Sequence, residues 1–399
     1  MRNLKRGVLC VQITTVPQTL YRLFPGLIQV LRNNDIETIG ICAEGTWLRK
    51  STAEEKLGIK IYSAGLKRTV SPISDLKALI AVTRIMFKEN PQIVHSHTPK
   101  GGLIGGLASV VTRRKFRVYT IRGLPHLTAQ GFLKRVLIFC ERVSCRCAHQ
   151  VFCVSQSVKD EVVHRSICCE AKIRVPCAVG SAQGVDSIRF DPGRKDLVEK
   201  SWLLRKKMGI AKSSVVVGFV GRLTQDKGTS DLVEVWKLIR ERQNVRLVVI
   251  GADNEPRSGN VRGEIEALRQ DEKVRVVGVS DFIEPYYSMF DVLLFPSRRE
   301  GMPNAVLEAS AMHVPVVGWD VMGSRDAIVN EKTGFTVPLG NIDEMTKAVL
   351  QLIECPELRR QYGSLGRERI VRDFQPEERY LELARLYRSK VIGESANDV

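Results

Sequence analysis

The sequence contains no long hydrophobic run and few aromatic side chains. Its most apolar segment, residues 101–111, is short and rich in glycine, whereas a helix that spans a bilayer needs about 20 apolar residues. Phe, Trp and Tyr together make up 6% of the chain, and no helix-turn-helix or zinc-finger pattern occurs. We therefore predict no transmembrane helix, and the stacking side chains typical of nucleic-acid-binding proteins are scarce.

Cysteine spacing and the amino-terminal segment favour a cytoplasmic protein. The ten cysteines show no C-x-x-C spacing, so a zinc site at Cys145 and Cys147 is disfavoured and reduced thiols in a cytoplasm are the better interpretation. Residues 1–6 are basic, but no small-residue cleavage site follows, which argues against a signal peptide. No D-x-D sequence occurs, so the usual pair of carboxylates for a divalent ion on a diphosphate is missing.

Acidic residues are scarce in the first half of the chain. The net charge is +17, and residues 1–180 hold 28 of the 61 Lys and Arg residues but only 11 of the 44 Asp and Glu residues. The second half is neutral, so the first half carries all of the excess. A one-sided basic surface attracts anionic lipid, nucleic acid or an anionic substrate, although a general bias towards solubility would give the same count.

Strands that alternate with helices predict the fold class. Buried strands are expected near residues 7–14, 38–42, 93–95, 117–120, 151–154, 215–220, 246–250, 274–277, 292–295 and 314–317, with helices between them. This alternation is typical of parallel sheets, and 399 residues suit two domains. Residues 179–186 are small and lack a helical period. We predict an α/β protein of two doubly wound, Rossmann-like domains facing across a cleft, with domains 1–180 and 181–376 and a C-terminal helical segment 377–399.

Two helices of the first half carry wide apolar faces. The first is expected to be capped by Ser74 and to run to about Lys88, with Leu76, Leu79, Ile80, Thr83, Ile85 and Phe87 on that face. The second runs over 132–147, with Leu133, Val136, Leu137, Cys140 and Val143 on one side and with Lys134, Arg135, Arg142 and Arg146 beside it. Such a face normally packs against a core, but basic neighbours also suit a membrane surface. Both interpretations of the second helix stay open.

Cations and carboxylates follow two of the predicted strands of the second half. Gly221, Arg222 and Lys227 come after residues 215–220, and Glu300-Gly301-Met302-Pro303-Asn304 comes after residues 292–295. Ligands of open α/β sheets bind at the carboxyl ends of strands, where Arg and Lys can hold phosphate oxygens. Pro303 suits the first turn of a helix, whose free amides also favour an anion. The pattern predicts a site for a sugar linked to a diphosphate.

Glu308 lies in a helix that is apolar nearly all round. A carboxylate buried there needs hydrogen-bond donors, and a ribose diol supplies two. Pairing of Glu308 with a structural arginine or a backbone amide is the alternative. Glu300 could accept hydrogen bonds from sugar hydroxyls, or it could be a solvated loop residue beside Arg298 and Arg299.

The two segments resemble signature motifs of the family-4 retaining glycosyltransferases. Glu300–Glu308 resembles their E-x7-E signature, and Gly221-Arg222-Leu223 with Lys227-Gly228 resembles their phosphate loop. His97-Thr98-Pro99-Lys100-Gly101-Gly102 is similar to the acceptor-side loop of members that build polysaccharides, and the segments 323–326 and 333–335 follow in the expected order.

This resemblance implies the GT-B architecture and a set of site residues. Donor-binding residues would be Gly221, Arg222, Lys227, Glu300, Gly301, Met302, Pro303, Asn304 and Glu308; catalytic residues would be His97, Arg222, Lys227 and Glu300. His97 would hydrogen-bond the donor sugar; a structural histidine, or a zinc pair with His95, are the alternatives. Lys100, Arg122 and His126, in loops of the basic domain, are weaker candidates for binding an anionic acceptor. The C-terminal helix, near 377–390, would cross back to the first domain.

The resemblance also implies an activity. We expect a retaining transfer, without metal or cofactor, of a sugar from a nucleotide sugar such as a UDP-sugar to a polyprenyl-diphosphate-linked glycan. The enzyme would act in capsule or exopolysaccharide biosynthesis at the cytoplasmic face of the plasma membrane, attached to an anionic membrane surface. A soluble acceptor, a nucleotide-sugar epimerase of the same fold and a basic nucleic-acid-binding protein are the alternatives.

Overall fold

The chain forms two compact units in a computed structural model that describes residues 7–17, 19–43, 50–67, 71–242, 244–252 and 261–393. Unit 1 comprises Met1–Gly184 and Pro376–Val399, and unit 2 comprises Val185–Gln375. The sequence placed the corresponding boundaries after residues 180 and 376. The basic start, residues 1–6, and the last six residues of the predicted C-terminal segment lie outside the described residues.

Unit 1 is built on a parallel sheet with helices between its strands. The strands are β1 (Val8–Ile13), β2 (Ile36–Cys42), β3 (Lys60–Ser63), β4 (Ile93–His97), β5 (Phe116–Ile121), β6 (Gln150–Cys153) and β7 (Ile173–Arg174). The helices are α1 (Pro25–Asn33), α2 (Lys50–Leu57), α3 (Pro72–Glu89), α4 (Pro99–Val111), α5 (Gly131–Cys147) and α6 (Gln156–His164). In the described part of the unit the strand order is β3-β2-β1-β4-β5-β6-β7. The order reverses between β1 and β4, which opens a crevice at their carboxyl ends.

Unit 2 repeats this plan on a second parallel sheet. Its strands are β8 (Val215–Val220), β9 (Val245–Ile250), β10 (Val274–Gly278), β11 (Val292–Phe295), β12 (Val316–Trp319) and β13 (Gly334–Val337). Its helices are α7 (Lys195–Lys207), α8 (Thr229–Ile239), α9 (Arg262–Gln270), α10 (Glu284–Tyr287), α11 (Asn304–Ala311), α12 (Ser324–Ala327), α13 (Ile342–Glu354) and α14 (Pro356–Asp373). The strand order is β10-β9-β8-β11-β12-β13 within the described residues. Here the order reverses between β8 and β11.

The central strands of both sheets are continuous apolar runs because helices cover both faces. In β8 and β9, for example, Val216, Val217, Val248 and Val249 are fully buried. The predicted α/β class and the GT-B architecture of two parallel-sheet domains are confirmed. None of the described helices is both long and apolar enough to cross a bilayer.

The last helix, α15 (Pro376–Val391), belongs to unit 1. Its side chains Tyr380, Ala384 and Tyr387 share an apolar cluster with Leu20 and Phe24. A break before Pro376 separates it from α14, since proline cannot continue a helix in its interior.

Several predicted helix details are wrong. The helix expected between the first two strands is instead a π-helical turn at Thr19–Leu23 followed by α1, which starts at Pro25. The cap of α3 is Ser71, not Ser74, because Pro72 occupies the first turn. The predicted apolar faces of α3 and α5 are partly wrong. In α3, Leu79 and Ile85 pack against the core as predicted, but Leu76, Ile80 and Phe87 are exposed, and the buried residues are Ala78, Val82 and Met86. In α5, Leu133 is exposed, Val136, Leu137, Cys140 and Val143 are partly buried, and the buried residues are Glu141, Ser144, Cys145 and Cys147. Helix α2 and strand β3 were not predicted.

Candidate functional site

The predicted donor-site segments lie at the carboxyl ends of two neighbouring strands. β8 and β11 pair in parallel, with Val292 opposite Val217. The loop after β8 contains Arg222 and a 3-10 turn at Gln225–Lys227, and the loop after β11 leads to α11. These loops touch at Gly228, where an added Cβ would lie 1.9 Å from the carbonyl oxygen of Pro296 and where φ is +73°. Only glycine fits this approach, so the two loops are held together at the point where the strand order reverses.

Lys227 and Glu300 contact each other directly. Lys227 Nζ lies 2.5 Å from Glu300 Oε1, and the Ser297 hydroxyl donates to the same carboxylate oxygen over 2.6 Å. Only 11% of the Glu300 side chain is exposed. Glu300 is therefore ion-paired with Lys227 and is not the solvated loop residue of the alternative interpretation.

Asp226 holds the cations of this cluster together, although the sequence did not single it out. Arg222 and Arg299 each approach Asp226 Oδ2 at 3.5 Å, and the Thr224 hydroxyl donates to Oδ1 over 2.6 Å. Burial alone would raise the pKa of Asp226, but the Thr224 hydrogen bond and the charges of Arg222, Lys227 and Arg299 outweigh it and lower the pKa. The only sequence signal was its position four residues after Arg222 in the same loop.

The helix after the second loop begins at Asn304. Pro303, which the sequence placed in the first helical turn, is instead the N-cap. Gly301 and Pro303 are buried and Met302 and Asn304 are partly buried, so the segment forms a packed turn leading from β11. The start of a helix carries partial positive charge, and it follows the loop that contains Glu300.

Glu308 has a partner that neither interpretation of the sequence anticipated. The Tyr287 hydroxyl, from α10, donates to Glu308 Oε2 over 2.9 Å. Burial raises the pKa of Glu308 to about 7, against the Tyr287 hydrogen bond and the charge of Arg189. Arg189 in turn pairs with Glu284, whose carboxylate adds to the rise. Tyr287 precedes Glu308 by 21 residues, a separation that no local pattern connects.

In unit 1, His97 is the last residue of β4 and is 2% exposed. Its Nε2 lies 2.8 Å from Gln12 Oε1, a carbonyl oxygen and therefore the acceptor. Nδ1 is buried without a hydrogen-bond partner. Burial and the neighbouring His95 and Arg122 hold the pKa of His97 well below its usual value. His97 is thus a neutral ring with an unused acceptor atom.

His95 is the satisfied histidine of this pair. Its Nδ1 lies 2.6 Å from the Tyr387 hydroxyl and its Nε2 lies 2.6 Å from the Thr120 hydroxyl. Both ring nitrogens are occupied, which disfavours the zinc alternative. Among the described residues, no group of three or more His, Cys, Asp or Glu side chains is arranged to hold a metal ion.

Arg122 and His97 line one cavity of unit 1, together with Phe24, Thr120, Arg379 and Glu382. Arg122 donates from Nη1 to Gln183 over 2.9 Å and lies over the Phe24 ring, while its Nε is buried without a partner. Burial lowers the pKa of Arg122 to about 10. The cavity therefore presents a cation and a hydrogen-bond acceptor side by side.

The other two acceptor candidates lie outside this lining. Lys100 pairs with Asp75 at 2.7 Å. His126, in the 3-10 turn Pro125–Leu127, is 1% exposed and its Nε2 lies 3.6 Å from Glu161. The structure brings Lys227, Glu300 and Arg222 together in unit 2 and His97 and Arg122 together in unit 1. It does not bring Lys100 and His126 to the same cavity.

Comparison with known proteins identifies two family profiles in the chain. The profile "Glycosyltransferase Family 4" matches residues 26–177 and the profile "Glycosyl transferases group 1" matches residues 200–369. A solved structure with the same fold is that of Anabaena Alr3699/HepE in complex with UDP and glucose. It superposes with a TM-score of 0.78 at 17% identity and covers 95% of this chain and 99% of the other.

Two curated relatives match along most of their length. The capsular polysaccharide biosynthesis glycosyltransferase CapM of Staphylococcus aureus is 33% identical over 366 residues, which cover 92% of this chain and 93% of CapM. UDP-Gal:alpha-D-GlcNAc-diphosphoundecaprenol alpha-1,3-galactosyltransferase of Escherichia coli is 27% identical over 331 residues, 82% of this chain and 83% of the relative. Together with the motifs at Arg222–Lys227 and Glu300–Glu308, these matches mean that the chain belongs to the family-4 glycosyltransferases and is an enzyme of that family.

Proposed function

We propose that this glycosyltransferase moves a sugar from a UDP-sugar to a polyprenyl-diphosphate-linked glycan, with retention at the anomeric carbon and without a metal ion. The observation that carries the proposal is the contact of Lys227 with Glu300 at the carboxyl ends of β8 and β11. The name of the E. coli relative contains both a UDP-sugar and a diphosphoundecaprenol acceptor. The name of CapM places it in capsular polysaccharide biosynthesis, which is the setting that we propose for this chain.

Arg222 and Lys227 would hold the diphosphate of the donor. Both cations lie in the loop after β8, and the start of α11 adds partial positive charge. A diphosphate oxygen would replace Glu300 as the partner of Lys227. The released Glu300 carboxylate, with the neighbouring backbone of Gly301 to Asn304, would then accept hydrogen bonds from the sugar hydroxyls.

The proposed reaction exchanges one bond at the anomeric carbon. The bond from this carbon to the diphosphate oxygen breaks, and a bond to the acceptor hydroxyl oxygen forms on the same face. The departing phosphate oxygen takes the proton of the acceptor hydroxyl. Arg222 and Lys227 stabilise the negative charge that grows on the diphosphate, a fixed electrostatic contribution that needs no divalent ion.

Glu308 would bind the ribose of the nucleotide. A carboxylate withdrawn from water gains most from two hydroxyl donors, and the Tyr287 hydroxyl occupies Oε2. The raised pKa of Glu308, about 7, reflects how few donors this carboxylate has without a ligand.

In unit 1, we assign the cavity at His97 and Arg122 to substrate groups. The Nδ1 atom of His97 is an unused acceptor for a sugar hydroxyl, as the family resemblance predicts. The guanidinium of Arg122 would attract the phosphate of a lipid-linked acceptor. We also propose that the enzyme works in the cytoplasm at the inner face of the plasma membrane, because its proposed acceptor is anchored there.

The test is transfer of labelled sugar to a synthetic polyprenyl-diphosphate glycan. A thermal-shift screen of UDP-, GDP- and ADP-sugars first identifies the donor. Arg222→Met or Lys227→Met should each reduce turnover by about 10²–10³-fold, by analogy with the loss of one oxyanion donor. Lys237→Met, at an exposed lysine of α8, is the matched control and should keep full activity.

Three further readouts examine the finer assignments. To test retention, NMR of the product should show the same anomeric configuration as the donor sugar. To test metal independence, turnover should persist in EDTA. Wild-type turnover in both Arg222→Met and Lys227→Met would contradict the proposed site. Transfer to a soluble glycan at the same rate as to the lipid-linked one would favour the soluble-acceptor alternative.

A further inference from the structure

Three helices on one side of unit 1 turn apolar side chains outward. Helix α4 packs against both α3 and α5. The exposed large apolar residues of these helices are Ile73, Leu76, Ile80 and Phe87 on α3, Val110 and Val111 on α4, and Phe132, Leu133 and Phe139 on α5. Phe132 is 81% exposed, Ile73 75% and Phe139 64%. We call these nine residues, with the exposed basic residues beside them, the three-helix surface.

Helix α5 departs from an ordinary amphipathic helix, because polar residues lie on its buried side and its two phenylalanines are exposed. Its buried side contains Glu141, Ser144 and Cys145, and the Glu141 carboxylate accepts a hydrogen bond of 2.7 Å from the buried Tyr119. Its aromatic residues face outward instead. In α3, Ala78, Val82 and Met86 are buried, and Leu79 and Ile85 pack partly buried against the same core. Ile73, Leu76, Ile80 and Phe87 remain exposed. Exposed apolar patches of this kind mark interaction surfaces.

The exposed charges of the three-helix surface are all positive. Lys77, Arg84 and Lys88 are exposed on α3, and Arg135, Arg142 and Arg146 are exposed on α5. The three helices contain three acidic residues, and none of them faces these cations as an exposed charge: Asp75 pairs with Lys100 of α4, Glu89 pairs with Lys60, and Glu141 is buried. The surface thus combines apolar side chains with unopposed cations.

We propose that unit 1 lies on an anionic lipid bilayer through the three-helix surface. This inference rests on the proposed function, since it supplies the membrane contact that a lipid-linked acceptor requires. Exposed Phe, Ile and Leu would enter the boundary of the acyl chains, and Lys and Arg stems would reach up to the lipid phosphates. A second copy of the chain fits less well, because a two-fold interface would place like charges against each other. Nucleic acid would leave the aliphatic side chains without a partner.

Vesicle flotation of the full-length protein tests this surface. The protein should float with phosphatidylcholine vesicles that contain phosphatidylglycerol, and should float much less with phosphatidylcholine alone. The double variant Phe132→Ser/Phe139→Ser should reduce the bound fraction at least tenfold at low and high salt. Phe282→Ser, at a phenylalanine of unit 2 that is 76% exposed, is the matched control and should bind like the wild type.

A charge variant separates the electrostatic part. Arg135→Gln/Arg146→Gln should weaken binding to anionic vesicles severalfold and should reduce its dependence on salt, because fewer lipid charges are engaged. Lys195→Gln/Lys207→Gln, at exposed lysines of α7, should leave both unchanged. Unaltered thermal unfolding of each variant shows that the fold is intact.

The outcomes distinguish this inference from the proposed function. Transfer to a short-chain, water-soluble diphosphate-linked glycan needs no vesicle, so Phe132→Ser/Phe139→Ser should retain it. If transfer occurs but the phenylalanine variant floats like the wild type, the three-helix surface is wrong. If flotation follows the prediction but no sugar is transferred, the proposed function is wrong. If the phenylalanine variant instead converts a dimer to a monomer without lipid, the surface is an interface between copies.

Discussion

Binding of the nucleotide sugar should weaken as the pH falls below 7. If Glu308 binds the ribose as proposed, it must lose its proton to accept hydrogen bonds from both ribose hydroxyls. Burial raises its pKa to about 7. At pH 8 roughly nine in ten of these carboxyls are ionised and at pH 6 roughly one in ten. We therefore expect the Kd for a nucleotide sugar to rise about tenfold between pH 8 and pH 6, and binding at pH 6 to release close to one proton.

Two variants isolate Glu308 as the titrating group. Tyr287→Phe removes the hydroxyl that donates to Glu308 Oε2 over 2.9 Å. A hydrogen bond to a charged group contributes about 1.5–3 kcal/mol, so the midpoint of the affinity profile should move up by roughly one to two pH units. The Glu308→Gln variant should bind the nucleotide sugar weakly at every pH, and its affinity profile should show no midpoint.

Isothermal titration calorimetry with UDP-glucose between pH 5.5 and 8.5 measures these quantities. This ligand has no terminal phosphate that would titrate in the same range, and buffers with different ionisation enthalpies reveal the released proton. A Kd that stays flat from pH 6 to pH 8 would refute the reasoning, as would an unchanged pH profile in Glu308→Gln.

The raised pKa of Glu308 makes the ligand-free fold less stable at higher pH, which is opposite to its effect on nucleotide binding. A carboxyl whose pKa is raised in the folded state, from 4.5 to about 7, stabilises the fold below pH 4.5 relative to high pH. This contribution is lost as the pH rises through 7 and is of the order of 3 kcal/mol. Nucleotide binding at neutral pH would offset part of that loss, so ligand-induced stabilisation should be larger at pH 8 than at pH 6.

Two further predictions concern stability. Gly228→Ala should lower the melting temperature, because its Cβ would lie 1.9 Å from Pro296 O at a φ of +73°. Gly263→Ala, in open space on α9, is the control and should leave the melting temperature unchanged or raise it. Equal melting temperatures of the two variants would contradict the close approach at Gly228. Burial also raises the pKa of Glu141 to about 7, so wild-type stability in urea should decline between pH 5 and pH 8 and Glu141→Gln should decline less. Parallel declines in both proteins would argue against a titrating Glu141.

Buried parallel strands were the most predictable elements. The expected strands 215–220 and 292–295 coincide with β8 and β11, because strands covered on both faces read as uninterrupted apolar runs. These two strands also predicted the position of the candidate site, since the residues just after such strands meet at one edge of the sheet. Lys227 and Glu300 were expected near one another on this ground, and they are in contact; their direct pairing was not predicted.

Helix faces were less predictable. Leu76, Ile80 and Phe87 form an apolar stripe on α3, but Ala78, Val82 and Met86 form another, and only the second meets the core. Periodicity identifies stripes and cannot tell which of two is buried. In α5 the two phenylalanines are exposed and Glu141 is buried, the reverse of what residue type predicts, although Val136, Leu137 and Val143 are partly buried.

Contacts between distant residues were missed for a different reason. Tyr287 reaches Glu308 because α10 packs near α11, and the Tyr387 hydroxyl reaches His95 across 292 residues of sequence. Neither pairing has a local signature. Asp226 was closer to being found, because it lies between two cations that the motif already contained.

The return of α15 to unit 1 bears on synthesis of the chain. Side chains of α15, among them Tyr380, Ala384 and Tyr387, complete a core whose other members lie between residues 8 and 152. About 190 residues of unit 2 separate these parts. At roughly 5–20 residues per second the ribosome needs on the order of 10–40 s to translate unit 2 before it reaches α15. The amino-terminal part of unit 1 therefore emerges from the ribosome without α15. Unit 2 emerges as one continuous segment before α15, so it has the opportunity to fold before unit 1 is complete.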